Sequence, residues 1–189
     1  DWENVGRFTL HGALDPYVAF RLESQFLDAS VSAKKRYLNP IRLTESVGVA
    51  RVLYKQNKRK IITRAGFALR QLISKNFIDT LYNTETKSTS DGGLESVTDV
   101  NWEVNERMVY TGKLTLFKAL FYSEKDTFAN TEYADDWKAI DVNWENIVSA
   151  TITKIVSVNF YTQLLYDKQI SRKGRLKQTL GIGLVVRLA

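Results

Sequence analysis

The sequence predicts an all-β fold, namely an antiparallel transmembrane β-barrel of about ten strands. Three features predict it: apolar and polar residues alternate, the alternating stretches are long, and short connections take turns with longer polar ones. The alternation is clearest near the C-terminus, where every second residue from 176 to 188 is apolar except Gln178. The apolar residues are Leu176, Leu180, Ile182, Leu184, Val186 and Leu188. Because successive side chains of a strand point to opposite faces, this stretch has one apolar and one more polar face.

Length and composition set the broad class. The 189 residues fit a single domain over positions 1–189, and zero Cys excludes a disulfide framework or a thiolate site. The formal net charge is +6, but the basic residues are scattered, and small groups at 34–36 and 55–60 fall in expected loops and turns. Such positions suit anionic headgroups or lipopolysaccharide, so no nucleic-acid partner is expected. No apolar run reaches about 18 residues, so no transmembrane helix is predicted.

Nine stretches of the chain are predicted as strands. In order they are 5–13, 17–28, 41–54, 60–73, 94–104, 108–123, 137–151, 154–168 and 175–188. Most are longer than the five or six residues that are common in soluble sheets. A tilted strand needs about 9–11 residues to cross a bilayer, so these lengths favour a membrane barrel over a soluble sandwich.

The connections between these strands alternate in length. Short turns are predicted near 15–16, 55–59, 105–107 and 152–153, and longer polar connections at 29–40, 74–93, 124–136 and 169–174. Bacterial outer-membrane barrels have tight periplasmic turns and longer extracellular loops. If the long loops lie outside the cell, the first predicted strand runs from the outside toward the periplasm. No predicted strand that starts in the periplasm precedes it. Since such barrels have even strand numbers, we expect a further strand before Asp1; if 1–13 is not a strand, the number is eight.

The alternation assigns faces on several strands. The rows assigned to lipid are Val18, Phe20, Leu22 and Phe26, then Ile140, Val142, Trp144, Val148, Ala150 and Ile152, then Val156, Val158, Phe160, Leu164 and Tyr166. Two stretches, 41–54 and 114–123, lack a clean pattern, which a β-bulge would explain, and Lys118 fits neither face. Apolar residues also repeat every four positions from Leu69 to Leu81, so a helix over 70–82 is an alternative to a strand and loop.

The pentapeptide Asp-Val-Asn-Trp-Glu occurs twice, at 99–103 and 141–145. Trp102 and Trp144 would face lipid past the midpoints of their strands, as a periplasmic-side aromatic girdle. The polar members would face the lumen: Asp99, Asn101, Glu103, Asp141, Asn143 and Glu145. They could bind a cation or do acid–base chemistry. The favoured interpretation is that they pair with inward basic residues drawn from Arg7, Arg21, Arg64, Arg70, Arg175 and Lys177, because small barrels are filled by their own side chains. Arg21, Arg64 and Arg175 complete the predicted lumen cluster.

Signals for catalysis, metals or cofactors are weak. His11 is the single His, and a Ser-His-Asn arrangement would have to be built around it without a recognisable nucleophile motif. Gly181 and Gly183 form a Gly-x-Gly motif, but it lies in a strand with no helix after it, so a phosphate-binding loop is not expected. The two glycines are instead expected to leave room for side chains in the lumen. We therefore predict no catalytic residue, no metal site and no cofactor.

From residue 100 onward the chain resembles a family of outer-membrane β-barrels of unknown function from Gram-negative bacteria of the Bacteroides and Flavobacterium group. The residues that carry the resemblance are Lys-Leu-Thr-Leu-Phe at 113–117, Ile-Asp-Val-Asn-Trp-Glu at 140–145, Leu-Tyr-Asp at 165–167 and Gln-Thr-Leu-Gly-Ile-Gly at 178–183. Residues 2–4 and 25–26 agree more loosely. The resemblance implies a signal-bearing barrel with more chain upstream. The ending at 186–189 departs from the aromatic ending typical of the family.

These features predict an integral barrel in the bacterial outer membrane with a structural or accessory role, in contact with lipid and lipopolysaccharide. It could be a subunit of a larger envelope complex, and no enzymatic role is expected. Three alternatives remain open. They are a narrow solute pore, a lipid- or lipopolysaccharide-modifying barrel enzyme, and a soluble lipocalin-like barrel whose apolar face points inward.

Overall fold

A computed structural model describes residues 2–10, 12–28, 31, 34–79 and 82–184. Over these residues the strands are β1 (Trp2–Arg7), β2 (Asp15–Ser24), β3 (Leu27–Asp28), β4 (Arg36–Tyr37), β5 (Ile41–Gln56), β6 (Arg59–Phe77), β7 (Thr84–Asn105), β8 (Met108–Tyr122), β9 (Ile140–Thr151), β10 (Val156–Asp167) and β11 (Ser171–Leu184). Two short 3-10 helices, Lys125–Phe128 and Asp136–Lys138, lie between β8 and β9. No helix within the described ranges has the length and apolarity to cross a membrane.

Nine of the strands form one sheet in the order β1-β2-β5-β6-β7-β8-β9-β10-β11. Every pairing in it is antiparallel, and the small hairpin of β3 and β4 stands apart. The predicted all-β antiparallel fold is confirmed, and each of the nine predicted strands has its counterpart. Among the described residues β1 pairs only with β2 and β11 only with β10, so the sheet is open between these two edges.

Several predicted boundaries are wrong. The first strand covers Trp2–Arg7 rather than 5–13, so residues 8–14 connect it to β2, and the eight-strand alternative fails. The strand predicted at 17–28 ends at Ser24. The last connection is only 168–170, because β11 already begins at Ser171.

The largest error concerns the predicted loop at 74–93 and the alternative helix at 70–82. Both are wrong, because β6 continues to Phe77 and β7 begins at Thr84. The residues beyond Arg70 pair with β7 as far as Phe77, opposite Thr84. Hydrogen bonds to β7 satisfy the backbone groups that a helix would satisfy within itself. Pairing with β7 therefore outweighs the apolar repeat of four residues that had suggested a helix.

The two stretches without clean alternation contain bulges, as an irregular pattern predicts. In β5 the register shifts between Val52 and Tyr54. In the β7–β8 pair it shifts at Gly92 and Gly93, opposite the end of β8. Lys118 lies just before that bulge and is paired with Leu94 on one side and Ile140 on the other, which puts it on their face.

Ion pairs between strands that are not neighbours show how the sheet curves. Glu3 of β1 contacts Lys113 of β8, and Arg21 of β2 contacts Glu95 of β7. All four side chains belong to the same face, which is therefore concave. The other face is convex and carries exposed apolar side chains, among them Val18 (50 % exposed), Val47 (56 %), Leu94 (55 %) and Ile182 (73 %).

Two glycines allow β5 and β6 to approach closely on the concave face. Gly48 pairs with Gly66, and Tyr17 of β2 lies opposite Gly48. A Cβ at Gly66 would lie 2.1 Å from the carbonyl oxygen of Val47, so no side chain fits there. Tyr17 is fully buried beside this gap, and the large ring occupies space that the glycines leave empty.

Candidate functional site

Glu3 is the centre of the charged cluster on the concave face. Its carboxylate accepts hydrogen bonds from Arg64 and Lys113, and Arg21 Nη2 lies 3.5 Å from its Oε1. Arg21 Nη2 also donates to Glu95 Oε1 at 2.9 Å. Arg64, Glu95 and the Arg21 guanidinium are buried, so each charge depends on these partners for compensation. We call Glu3, Arg21, Arg64, Glu95 and Lys113 the Glu3 cluster.

A second ion-pair group, the Arg70 cluster, lies on the same face nearer the longer loops. Arg70 Nε donates to Asp91 Oδ1 at 2.9 Å, and Nη2 donates to the other oxygen, which is a bidentate fork. Arg70 Nη1 donates to Asp141 Oδ2 at 2.8 Å. The guanidinium carbon lies 3.6 Å from the centre of the Phe117 ring, so the cation is also covered by an aromatic face.

The second copy of the repeated pentapeptide contributes directly to these interactions. Asp141 belongs to the Arg70 cluster, while Asn143 Nδ2 donates to Glu145 Oε1 at 2.9 Å. Gln163 Nε2 donates to Asn143 Oδ1 at 2.9 Å, and Tyr161 Oη donates to Glu145 Oε2 at 3.3 Å. The structure therefore links Asn143 and Glu145 into a polar network with β10, whereas Asp141 belongs to the Arg70 cluster.

The first copy lies nearer the short turns. Asp99, Asn101 and Glu145 line a cavity of about 480 Å³, together with Lys60, Ile62, Thr111, Lys113 and Ile147. Glu103 is at the turn, where Lys58 Nζ lies 3.0 Å from Oε2. Asp99 makes no ion pair in the part of the chain that the structure describes. The two pentapeptides therefore have different surroundings.

The remaining predicted residues are more dispersed. Arg21 and Arg64 belong to the Glu3 cluster, but Arg175 is on the edge strand β11, opposite Leu165, and makes no ion pair within the described ranges. Trp102 faces outward near the end of β7, where Tyr54 lies 5.3 Å from it, centroid to centroid. Trp144 also faces outward, but it is near the middle of Ile140–Thr151 rather than toward the turns. The two Trp residues therefore do not occupy equivalent positions along their strands.

Sequence reasoning missed three carboxylates. Glu95 lies within a predicted strand and shares the parity of Asp99, so strict alternation along β7 could have found it. Asp91 was expected in a loop, and Glu3 preceded the predicted first strand. Both residues were missed because the predicted strand boundaries were wrong, and not because the alternation of faces along a strand failed.

The long connection between β8 and β9 folds over the loop end of the concave face. Asp136 is buried and lies 2.9 Å from Lys168 Nζ and 3.4 Å from Arg172 Nε. The hydrogen bond from Lys168, aided by Arg172, holds the pKa of the Asp136 carboxyl below its ordinary value of 3.8. Trp137 packs against Ala68, Phe117 and Ala119. The connection is thus attached both to the β10–β11 hairpin and to the inner wall.

A cavity of about 440 Å³ lies beneath this connection, lined largely by aromatic and aliphatic residues, with Lys87, Thr89, Asp136 and Gln169 as its polar members. Lys87 Nζ is paired with Glu124 at 2.9 Å. Several charged groups of the concave face are paired with groups of opposite charge, as in the Glu3 cluster and the Arg70 cluster. Within the described residues no cluster of His, Asp and Glu has a metal-binding arrangement. The predicted candidate His11 lies outside the residues that the structure describes.

Comparison with known proteins found no counterpart. No protein-family model, no curated protein and no solved structure matches the chain significantly.

Proposed function

We propose that the chain is an integral outer-membrane β-barrel protein with a structural or accessory role, whose interior is closed to solute flow. One observation carries the proposal: charged side chains meet across the concave face, while the convex face exposes Val, Leu, Ile and Phe side chains along its strands. An outward apolar band with a polar interior is the arrangement of membrane barrels. A soluble lipocalin-like barrel has the reverse arrangement.

The charged clusters favour a closed interior over a narrow pore. The Glu3 cluster connects β1, β2, β6, β7 and β8, and the Arg70 cluster connects β6, β7 and β9. The space beside the Arg70 cluster is only about 140 Å³. Side chains that neutralise each other across the interior leave no continuous charged path for ions.

The gap between the edge strands β1 and β11 must be closed if the sheet is to form a barrel. Unpaired backbone groups are too costly in hydrocarbon, so β1 and β11 need partners within the bilayer. Both strands run from the loop end toward the turn end, because β1 and β11 are separated by an even number of antiparallel steps. A single strand of the opposite direction would pair with both edges. This requirement agrees with the tenth strand expected from loop parity.

The ends of the strands suit contact with anionic lipids. Lys34 and Lys35 are exposed in the long connection before β5, and Lys55, Lys58 and Lys60 lie at the opposite end. The Lys58 side chain is 81 % exposed, with its ammonium group near Glu103. Cations at both ends can reach phosphate groups of phospholipid or lipopolysaccharide.

Membrane insertion and conductance test the proposal together. The full chain should require detergent for solubility and float with liposomes after reconstitution. In planar bilayers it should pass no steady current. Solubility without detergent would support the lipocalin-like alternative, and steady ohmic current would support a pore.

A paired substitution tests whether the clusters close the interior. Arg21→Ser with Arg70→Ser removes two long side chains from the interior, so the variant should show current that the parent lacks. Arg107→Ser, at the exposed β7–β8 turn, removes one cation away from the interior and should leave conductance at zero. If the double variant inserts but passes no current, other groups close the interior.

A further inference from the structure

A row of polar side chains crosses the convex face of β9, β10 and β11. Asn146 pairs with Thr162, and Thr162 pairs with Gln178, so the three are side by side on neighbouring strands. Each lies near the middle of its strand, Ile140–Thr151, Val156–Asp167 or Ser171–Leu184. In a chain that spans the membrane as proposed above, hydrogen-bonding groups are most costly at this depth. We call this row the amide row.

Apolar residues flank the amide row on both sides. Toward the loops the adjacent row is Trp144, Leu164 and Leu176, and toward the turns it is Val148, Phe160 and Leu180. Leu176 is 64 % exposed and Leu180 is 67 % exposed. The amide row is therefore a polar band inside an apolar surface and does not belong to the boundary with lipid headgroups.

The amide row has unused hydrogen-bonding capacity. Tyr110 Oη donates to Asn146 Oδ1 at 2.6 Å, which leaves the two amide hydrogens of Asn146 available. Gln178 is exposed, and its side chain makes no hydrogen bond with any part of the chain that the structure describes. By contrast, the convex-face hydroxyls of Thr63 and Thr98 bond to each other at 3.0 Å. The latter pair is suited to lipid, whereas Gln178 is suited to a protein partner.

We infer that the convex face of β9–β11 packs against the same face of a second copy of the chain, with the two amide rows in contact. A carboxamide carries both donors and an acceptor, so two such rows are self-complementary. Within 144–150, 156–166 and 174–184, the strands carry no charged residue on this face that would call for a partner of opposite sign. The inference rests on the proposed membrane location.

Orientation in the membrane determines the symmetry of this contact. Both copies enter with the same ends outward, so the two-fold axis lies along the membrane normal. The β11 edges of two such copies would run parallel to each other, which does not continue an antiparallel sheet. The copies therefore meet through side chains of the convex face, and the β11 edge remains available for the strand that closes the gap.

Cysteine cross-linking tests the contact in the full chain, which has no Cys of its own. Thr162→Cys and Gln178→Cys are treated with a short bis-maleimide after flotation with liposomes. The matched control is Val47→Cys, on the convex face of β5, where the native side chain is 56 % exposed. Covalent dimers should form from the two amide-row variants and not from the control.

A second variant measures the contribution of the amide. Gln178→Leu removes the hydrogen-bonding group and is well suited to lipid, so the monomer should still insert. Its dimer dissociation constant in detergent should rise about tenfold, as expected for one lost hydrogen bond in an apolar medium. Sedimentation equilibrium at several protein-to-detergent ratios provides the measurement.

Three outcomes would overturn the inference. They are an inserted chain that stays monomeric at every density, equal cross-linking of the Val47→Cys control, and cross-linking of the amide row only to a different polypeptide. A chain that remains in the aqueous phase without detergent would instead reject the proposed function. The flotation step separates this failure from an inserted monomer.

Discussion

Glu3 and Lys113 form an ion pair that joins β1 to β8, although 110 positions separate them in the sequence. The strand that carries Glu3 has six residues and, among the residues that the structure describes, pairs only with β2. Its backbone ladder is therefore short, and the carboxylate adds contacts to β6 and β8 from the other side of the concave face. The ion pair thus connects the shortest strand of the nine-stranded sheet to its centre.

Glu3→Gln should destabilise the protein by about 3 kcal/mol, because it removes the negative charge that compensates two buried or half-buried guanidinium groups and an ammonium group. Unfolding in urea, followed by loss of heat-modifiable migration in detergent, would report the change. Glu106→Gln is the matched control, since Glu106 is exposed at a turn. Equal stability of the two variants would show that the cluster contributes nothing to β1.

Gly66→Ala should prevent close pairing of β5 and β6. The new Cβ would be 2.1 Å from a backbone carbonyl oxygen, so the strands must separate, at a cost of about 3 kcal/mol. Gly181→Ala is the control, because a Cβ there has its nearest neighbour at 3.9 Å. We expect the first variant to lose folded yield and the second to match the parent. Normal yield and melting of Gly66→Ala would contradict the close approach.

Phe67→Arg tests which face contacts lipid. Phe67 is at the middle of β6 on the convex face, and a guanidinium there should cost about 2–4 kcal/mol in a bilayer. Ile62→Arg places the same group on the concave face, where the paired residue is Asp99, and should be tolerated. Folding into liposomes, measured by resistance to protease, compares them. A soluble barrel with an apolar interior would give the opposite ranking.

Asp136→Asn should loosen the β8–β9 connection from the β10–β11 hairpin, because Lys168 and Arg172 lose their shared negatively charged partner. A nitroxide on Asn130→Cys would report this as increased mobility. In the parent, the folded protein lowers the pKa of Asp136, so the carboxylate is charged and the attachment complete at any pH above its ordinary pKa of 3.8. The attachment is lost as the pH falls through the lower pKa that Asp136 has in the folded protein.

The same label provides the control for this pH dependence. Asp136→Asn should be mobile at every pH, whereas Asp126→Asn, which alters a carboxylate without an ion pair among the described residues, should behave like the parent. A label that stays immobile in Asp136→Asn at neutral pH would show that the ion pairs do not hold the connection.

Much of the fold could be predicted from the sequence. Period-two alternation in 154–168 and 175–188 identified β10, β11 and their faces, because strand geometry imposes that period regardless of the neighbours. The site was predicted in part: Arg21, Arg64 and Asp141 do meet opposite charges on the concave face. Their partners Glu3 and Asp91 were not predicted, since both lay outside the predicted strands.

What the chain determined by itself was local: which residues extend, and which side of each strand is apolar. Tertiary structure decided the rest. The length of β6 depends on β7 being present to pair with residues beyond Arg70, and no local pattern encodes that ladder. The meeting of Glu3 with Lys113 depends on how far the sheet curls, and curvature sums the twist and bulges of every strand between them.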